Sequence, residues 1–291
     1  MTQTVPLVGS TGMLGGRIAA HLTDDAGARL RLFVRDASSN KLAHLRERDV
    51  EIVEGDLSDR ASLDRATTGV DVIVSAVQGG PDVIVNGQVA LAEAGKRNGV
   101  RRILPSDFGL DVFKATPGEH AAFNMRAEAG ARIAQLGLES IHILQGAFLD
   151  LFAPGSPMID YDKGVVTFWG DGNRPIEATS VEDTARMTTR VALVRDVPGG
   201  KFAFYGDRLS FNDAADVAEA LTGKTFERRS LGTEEALRAA LAAADAQDKI
   251  MLGYALYMTN GQTALSDVQN GRYPETRLQT FKEVLADRIR S

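Results

Sequence analysis

The chain has 291 residues, 44% of them hydrophobic, and a formal net charge of −6. That length supports one large core, or a core with a smaller lobe, without covalent staples. The absence of cysteine excludes disulfides, thiolate metal ligands and thiol nucleophiles, and Lys and Arg are spread along the chain, which argues against nucleic acid or an anionic membrane as partner.

The N-terminus lacks the basic and apolar regions of a secretory signal, and no apolar run reaches spanning length. The expectation is a cytoplasmic protein with a small-molecule partner, as a monomer or a small homo-oligomer.

Strand-like runs at residues 5–8, 29–34, 51–54, 70–75, 101–105 and 140–144 alternate with helical stretches at 12–24, 41–48, 62–67, 82–98 and 119–136. Gly99 and Gly137 stand where a helix stops before a strand begins. This alternation predicts an α/β fold, a Rossmann-like doubly wound parallel sheet over residues 1–150. Pro6 conflicts locally, because a central strand has no spare ladder donor; a strand mouth or a bulge would resolve it.

Beyond Phe148 the pattern loosens. A Pro- and Gly-rich stretch at 153–157, a strand or hairpin near 164–169 and a Gly-Asp-Gly-Asn turn at 170–173 lead into helices at 180–195, 210–222, 233–246 and 275–290. Ser210 and Asp213 have capping-box spacing. Residues 151–291 read as a smaller α+β substrate-binding portion, some segments of which return to the main sheet.

Gly9, Ser10, Thr11, Gly12, Met13, Leu14 and Gly15 form G-S-T-G-M-L-G between the first strand and the first helix. Glycines there let the chain turn tightly and bring backbone N–H groups against a pyrophosphate, whose charge the helix N-terminus favours. The second strand ends Phe33-Val34-Arg35, so Arg35, with Lys41 behind it, offers cations to a 2′-phosphate and favours NADP(H), although Asp36 could still claim a ribose. Asp56 and Leu57 end the third strand, and Ala76, Val77 and Gln78 follow the fourth. These are strand carboxyl ends, where open α/β sheets bind ligands. Asp56 is either an acceptor for the adenine amino group or an ordinary loop residue. Phe148 joins the cofactor candidates.

Together with V-R-D, E-G-D-L and above all R-R-I-L-P-S-D-F-G at 101–109, these residues resemble the NmrA-like group of atypical short-chain dehydrogenases, including the isoflavone-reductase-like enzymes. The likeness continues into W-G-D-G-N-R-P-I and V-E-D-T-A at 181–185. It implies NADP(H) along the strand ends, with Gly9 to Gly15, Arg35 and Lys41 as matching contacts. The reductases of this group carry an F-x-x-K lysine after P-S-E-F-G; here the segment reads Phe123-Asn124-Met125-Arg126. A guanidinium, with a pKa above ~12, does not trade protons near neutral pH, yet it can polarise a carbonyl.

No tyrosine precedes residue 151, so the Tyr-x-x-x-Lys pair of ordinary short-chain dehydrogenases is missing. Arg126 and Ser106 are the candidate catalytic groups, with Asp107 beside Ser106, and Lys114 is a weaker substitute for the missing lysine. The histidines sit on separate elements with no metal-site spacing. Tyr161, Trp169, Met251, Tyr254, Tyr257 and Met258 read as core, or as walls of an apolar pocket. The leading expectation is an NADP(H)-dependent oxidoreductase reducing a small apolar or aromatic carbonyl, alkene or quinone-like compound. The alternative is a non-catalytic NADP-binding redox sensor.

Overall fold

The structure is a computed structural model that describes residues 2–156 and 158–290; Met1, Ser291 and Pro157, the last residue of the Pro- and Gly-rich stretch, lie outside the described residues. In chain order the elements are β1 (Gln3–Val8), α1 (Met13–Asp24), β2 (Ala28–Val34), α2 (Ala43–Arg46), β3 (Glu51–Glu54), α3 (Arg60–Thr67), β4 (Val72–Ser75), α4 (Gln88–Arg97), β5 (Arg102–Leu104), α5 (Ala121–Gln135) and β6 (Glu139–Leu144). There follow β7 (Ala147–Phe148), β8 (Ile159–Asp160), β9 (Val165–Phe168), β10 (Ile176–Thr179), α6 (Val181–Leu193), β11 (Gly200–Ala203), β12 (Asp207–Leu209), α7 (Phe211–Thr222), β13 (Glu227–Ser230), α8 (Glu234–Ala243), α9 (Ala246–Asn260) and α10 (Phe281–Arg290).

Two compact units interleave along the chain: one comprises Met1–Phe108, Met125–Ile143 and Thr184–Phe202, the other Gly109–Asn124, Leu144–Asp183 and Ala203–Ser291. A single cut after residue 150 therefore does not separate them. Residues 184–202 rejoin the first unit because β11 takes the edge of the main sheet beside β6.

The first unit is built on a seven-stranded sheet in the order β11-β6-β5-β4-β1-β2-β3, in which the pairs β1–β2, β2–β3, β1–β4, β4–β5 and β5–β6 are parallel. This is the Rossmann-like doubly wound sheet expected from the alternation. The order turns back between β1 and β4, the topological switch at which such sheets open a crevice. Phe33, Ile73, Leu91, Ile103 and Ile133 belong to its core.

Pro6 is neither at a strand mouth nor in a bulge. It sits inside β1 opposite Arg31 of β2, and the ladder to β4 begins only at Leu7. One step earlier the Asp71 side chain accepts from Thr4 N–H, and the Asp71 carbonyl accepts from Arg101 N–H, so no donor from residue 6 is required.

Helical stretch 82–98 divides into a π-helical turn, Asp82–Gly87, followed by α4; stretch 41–48 divides into a 3-10 turn and the short α2.

In the second unit, β7, β10 and β12 form one three-stranded sheet and β8, β9 and β13 another. Phe152, Phe168, Phe226 and Phe281 anchor its core. The helix expected at 233–246 is α8, which stops at Ala243, and an unexpected helix, α9, follows it, because the Asp245 carboxylate accepts from the N–H groups of Gln247 and Asp248 and starts a new turn. The last helix begins at Phe281 and not at Glu275: Thr280 and Glu283 form a reciprocal cap there. The Ser210–Asp213 capping box is present as expected. No helix among the described residues is long and apolar enough to cross a membrane.

Arg102 of β5 is 1% exposed and serves as a clamp within the first unit. Its Nε and Nη2 donate to the two Glu139 carboxylate oxygens at 2.8 and 3.1 Å, and the remaining donors reach the carbonyls of Val191, in the last turn of α6, and of Val194 and Val197 just beyond it. Arg102→Met leaves these carbonyls without their donor, while Glu139, 31% exposed, keeps Arg101 as partner, so the substitution is expected to cost about 1–3 kcal/mol in urea unfolding. The Arg102 hydrogen bond foremost, and then the charges of Arg102 and Arg101, lower the pKa of Glu139. A depressed carboxylate adds stability above its unfolded value of about 4.3 and loses it as pH falls. Glu139→Gln should therefore be less stable than wild type at neutral pH and flatten the acid limb of the stability profile.

Candidate functional site

The glycine turn occupies the switch point. Gly9 has φ +90, and a Cβ there would stand 2.3 Å from the Ala76 carbonyl oxygen; a Cβ on Gly15 would stand 2.1 Å from the Gly9 carbonyl oxygen. Backbone therefore lies against backbone at both positions, and only glycine fits. Gly12 N–H donates back to the Gly9 carbonyl at 3.0 Å, closing the turn.

Helix α1 opens at Gly12 with no side-chain cap and no acid in its first turn, which leaves a helix N-terminus electrically suited to an anion. Within the turn, Ser10 is 3% exposed and its Oγ has no hydrogen-bond partner among the described residues. A buried hydroxyl without a partner is costly unless something fills that role. Thr11, Gly12 and Met13 are exposed on the outer side, Leu14 is half-buried and Gly15 is buried.

At the end of β2, Arg35 and Asp36 are both exposed. Asp36 is turned into its own loop: Oδ1 accepts from the N–H and hydroxyl of Ser38 at 2.8 and 2.5 Å, and these bonds lower its pKa. Arg46, not singled out from the sequence, closes this loop by donating to the carbonyls of Ala37 and Ser39. It lies on the same short helical segment that follows Lys41, itself exposed in a 3-10 turn. The end of β2 thus presents Arg35 and Lys41, while the one acid that would suit a ribose hydroxyl is engaged.

Asp56 is exposed, and its Oδ1 accepts from Ser58 N–H and Oγ at 2.9 and 2.6 Å. These bonds, and then the charge of Arg35, lower its pKa. One carboxylate oxygen is therefore committed to a local turn. Leu57 packs beside Gly87, Ala76 backs the Gly9 turn, Val77 is buried and Gln78 is exposed.

Ser106, beyond β5, has every polar group engaged. Its N–H donates to Gln88 Oε1 at 2.7 Å, its Oγ donates to the Val77 carbonyl at 2.7 Å, and its carbonyl accepts from Arg126 Nε at 3.2 Å. The hydroxyl proton expected to meet a substrate is already used to join the ends of β4 and β5. Gln88, the first residue of α4 after the π turn, is a site-shaping group that no sequence spacing revealed. Another is His142 of β6, whose Nδ1 lies 2.6 Å from Asp107 Oδ2 in a buried pair.

Within the second unit, Lys114 donates to the Ala264 carbonyl at 2.6 Å, which makes it a local tether. Phe148 is half-buried on β7, paired with Thr179. His120, Phe123, Tyr254 and Tyr257 stack as one aromatic cluster, and burial pushes the Tyr257 hydroxyl up to about 12. Trp169, Phe211 and Met258 line a cavity of ≈ 780 Å³, whose polar rim includes Arg174 and Thr233, a volume typical of small-molecule sites. Met251 is exposed. The crowding at the turn gives a direct test: Gly15→Ala should destabilise the chain by about 1–3 kcal/mol despite better helix propensity, because backbone must move. Gly12→Ala, whose Cβ would meet only Gly9 oxygen at 3.3 Å, should cost less in the same denaturation experiment.

Residues 1–277 match the NmrA-like family. The chain is 31% identical over 312 aligned positions to the isoflavone reductase homolog IRL of Zea mays, covering 96% of each chain. It is 26% identical to the phenylcoumaran benzylic ether reductase IRL1 of Ginkgo biloba, again over 96% of each. The binary complex of leucoanthocyanidin reductase with NADPH from Vitis vinifera shares the fold, with a TM-score of 0.83 at 23% identity over 99% of this chain and 100% of that one. The glycine turn at the switch point, the P-S-D-F-G segment and this full-length likeness place the chain in the NmrA-like family.

Proposed function

We propose that the chain is an NADPH-dependent reductase acting on a small apolar or aromatic carbonyl, alkene or quinone-like compound. The observation that carries the reading is the glycine turn: a backbone cradle that tolerates no Cβ, beside a buried Ser10 hydroxyl without a partner. Those features fit a pyrophosphate, with Ser10 and the backbone of residues 9–15 as its holders. Arg35 and Lys41 meet the 2′-phosphate, the group that separates NADPH from NADH. Asp56, Leu57, Ala76, Val77, Gln78 and Phe148 stand as the remaining cofactor contacts. Relatives named as phenylcoumaran benzylic ether reductase and isoflavone reductase homolog support the reductase class.

The nicotinamide, when bound, supplies hydride. Arg126 is the electrophile: held through Nε on the Ser106 carbonyl, its guanidinium stabilises negative charge developing on an acceptor oxygen. As a permanent cation it gives up no proton, so the proton that completes the reduction comes from solvent water. Ser106 acts through others, fixing the ends of β4 and β5. Within the second unit, the cavity lined by Trp169, Phe211 and Met258 suits an aromatic ring.

Fluorescence titration should give tighter binding of NADPH than of NADH. Arg35→Ser should weaken NADPH about 10- to 100-fold and leave NADH nearly unchanged, the loss of one charge-assisted phosphate contact. Stopped-flow oxidation of bound NADPH by a panel of quinones, enals and aryl ketones then tests the chemistry, with a rate that changes on Arg126→Lys. Binding without oxidation by any compound would favour a redox sensor; no binding would sink both readings.

A further inference from the structure

Asp107 and His142 stand 35 positions apart, and nothing in their spacing joins them. The fold brings them into a buried pair in the first unit. Their side chains are 2% and 11% exposed, with Nδ1 and Oδ2 at 2.6 Å, and the second carboxylate oxygen, Oδ1, is buried without a hydrogen-bond partner among the described residues.

Three elements meet there. Asp107 closes a tight turn beyond β5 by donating its N–H to the Pro105 carbonyl at 2.9 Å. His142 comes from β6. Helix α5 lies over the imidazole at Gly130, whose Cβ would touch His142 Cε1 at 3.5 Å. One helical turn earlier α5 carries Arg126, which donates to the carbonyl of Ser106, the residue next to Asp107.

We propose that Asp107 and His142 are a positioning pair for Arg126. The 2.6 Å contact with His142 holds the rotation of the buried Asp107 carboxylate and, with it, the 105–107 turn. That turn sets the direction of the Ser106 carbonyl, and the carbonyl fixes the plane of the Arg126 guanidinium. The pair substitutes for the freedom of a flexible lysine: a planar fork is useful only when its direction is held. The inference rests on Arg126 as the electrophile of the proposed reductase.

Two readouts separate this inference from that reading. The first needs no substrate: the 15N-resolved Arg126 Nε–H resonance and its exchange rate, followed in His142→Gln, His142→Phe and the double variant Asp107→Leu/His142→Phe. The bonded signal should persist in His142→Gln, which keeps a side-chain donor, and be lost or exchange rapidly in the other two. The second is single-turnover oxidation of prebound NADPH by 9,10-phenanthrenequinone. His142→Phe should slow this step about 10- to 100-fold with little change in NADPH affinity or quinone KM, and His142→Gln should recover most of the rate.

If His142→Phe does not fold, the double variant, which replaces the pair by apolar side chains, carries both measurements. A merely structural role would let that stable double variant regain the wild-type rate and Arg126 signal, and this outcome overturns the proposal. So does an unchanged Arg126 signal in His142→Phe. If wild type binds NADPH and oxidises it with no member of the panel, the reductase reading fails, and the resonance alone decides whether the pair positions Arg126.

Discussion

The contact on which the site depends is backbone against backbone at the glycine turn. Gly9 abuts the Ala76 carbonyl and Gly15 abuts the Gly9 carbonyl at distances no Cβ permits. The end of β1, the start of α1 and the segment after β4 are drawn together by that absence of side chains. The crevice at the sheet's switch point is floored by main chain as a result, and a main-chain floor offers N–H groups to an anion where side chains would block it.

From this floor the other strand ends are tied in one at a time by polar groups that are fully engaged. Ser106 joins β5 to Val77 beyond β4 and to Gln88 at the head of α4, and Arg126 docks on its carbonyl. At the opposite end of β5, Arg102 holds Glu139 and three carbonyls in and after the last turn of α6. A short strand of three residues is thus pinned at both ends by buried hydrogen bonds, which suits a segment that must present Ser106 and Asp107 in fixed directions. Ser10 Oγ, Ser75 Oγ and Asp107 Oδ1 are buried atoms at these strand ends that have no hydrogen-bond partner among the described residues.

Replacing a transferable proton by a fixed charge changes what such a site asks of its surroundings. A lysine donates from a flexible stem and tolerates displacement, whereas a guanidinium acts by direction and field. The elements that hold Arg126 therefore matter as much as Arg126 itself. They come from parts of the chain with no local relationship: a π turn before Gln88, a tight turn at Pro105 and a histidine on β6.

The sequence by itself determined six of the seven main-sheet strands and the glycine turn, because these are local: alternating apolar runs, helix-stopping glycines and G-S-T-G-M-L-G between a strand and a helix each act over a few neighbouring residues. It also carried the Ser210–Asp213 cap. Hidden were α9, whose start depends on Asp245 turning back on two amides, and strands such as β10, β12 and β13, whose pairing partners are distant in the chain; β9 lies in the strand or hairpin read near 164–169. Only tertiary structure decided that Asp36 is engaged by Ser38, that the Ser106 proton goes to Val77, and that Asp107 meets His142. Composition and spacing state which groups a chain owns; which of them are already bonded depends on what folding brings within 3 Å, a hydrogen-bond length.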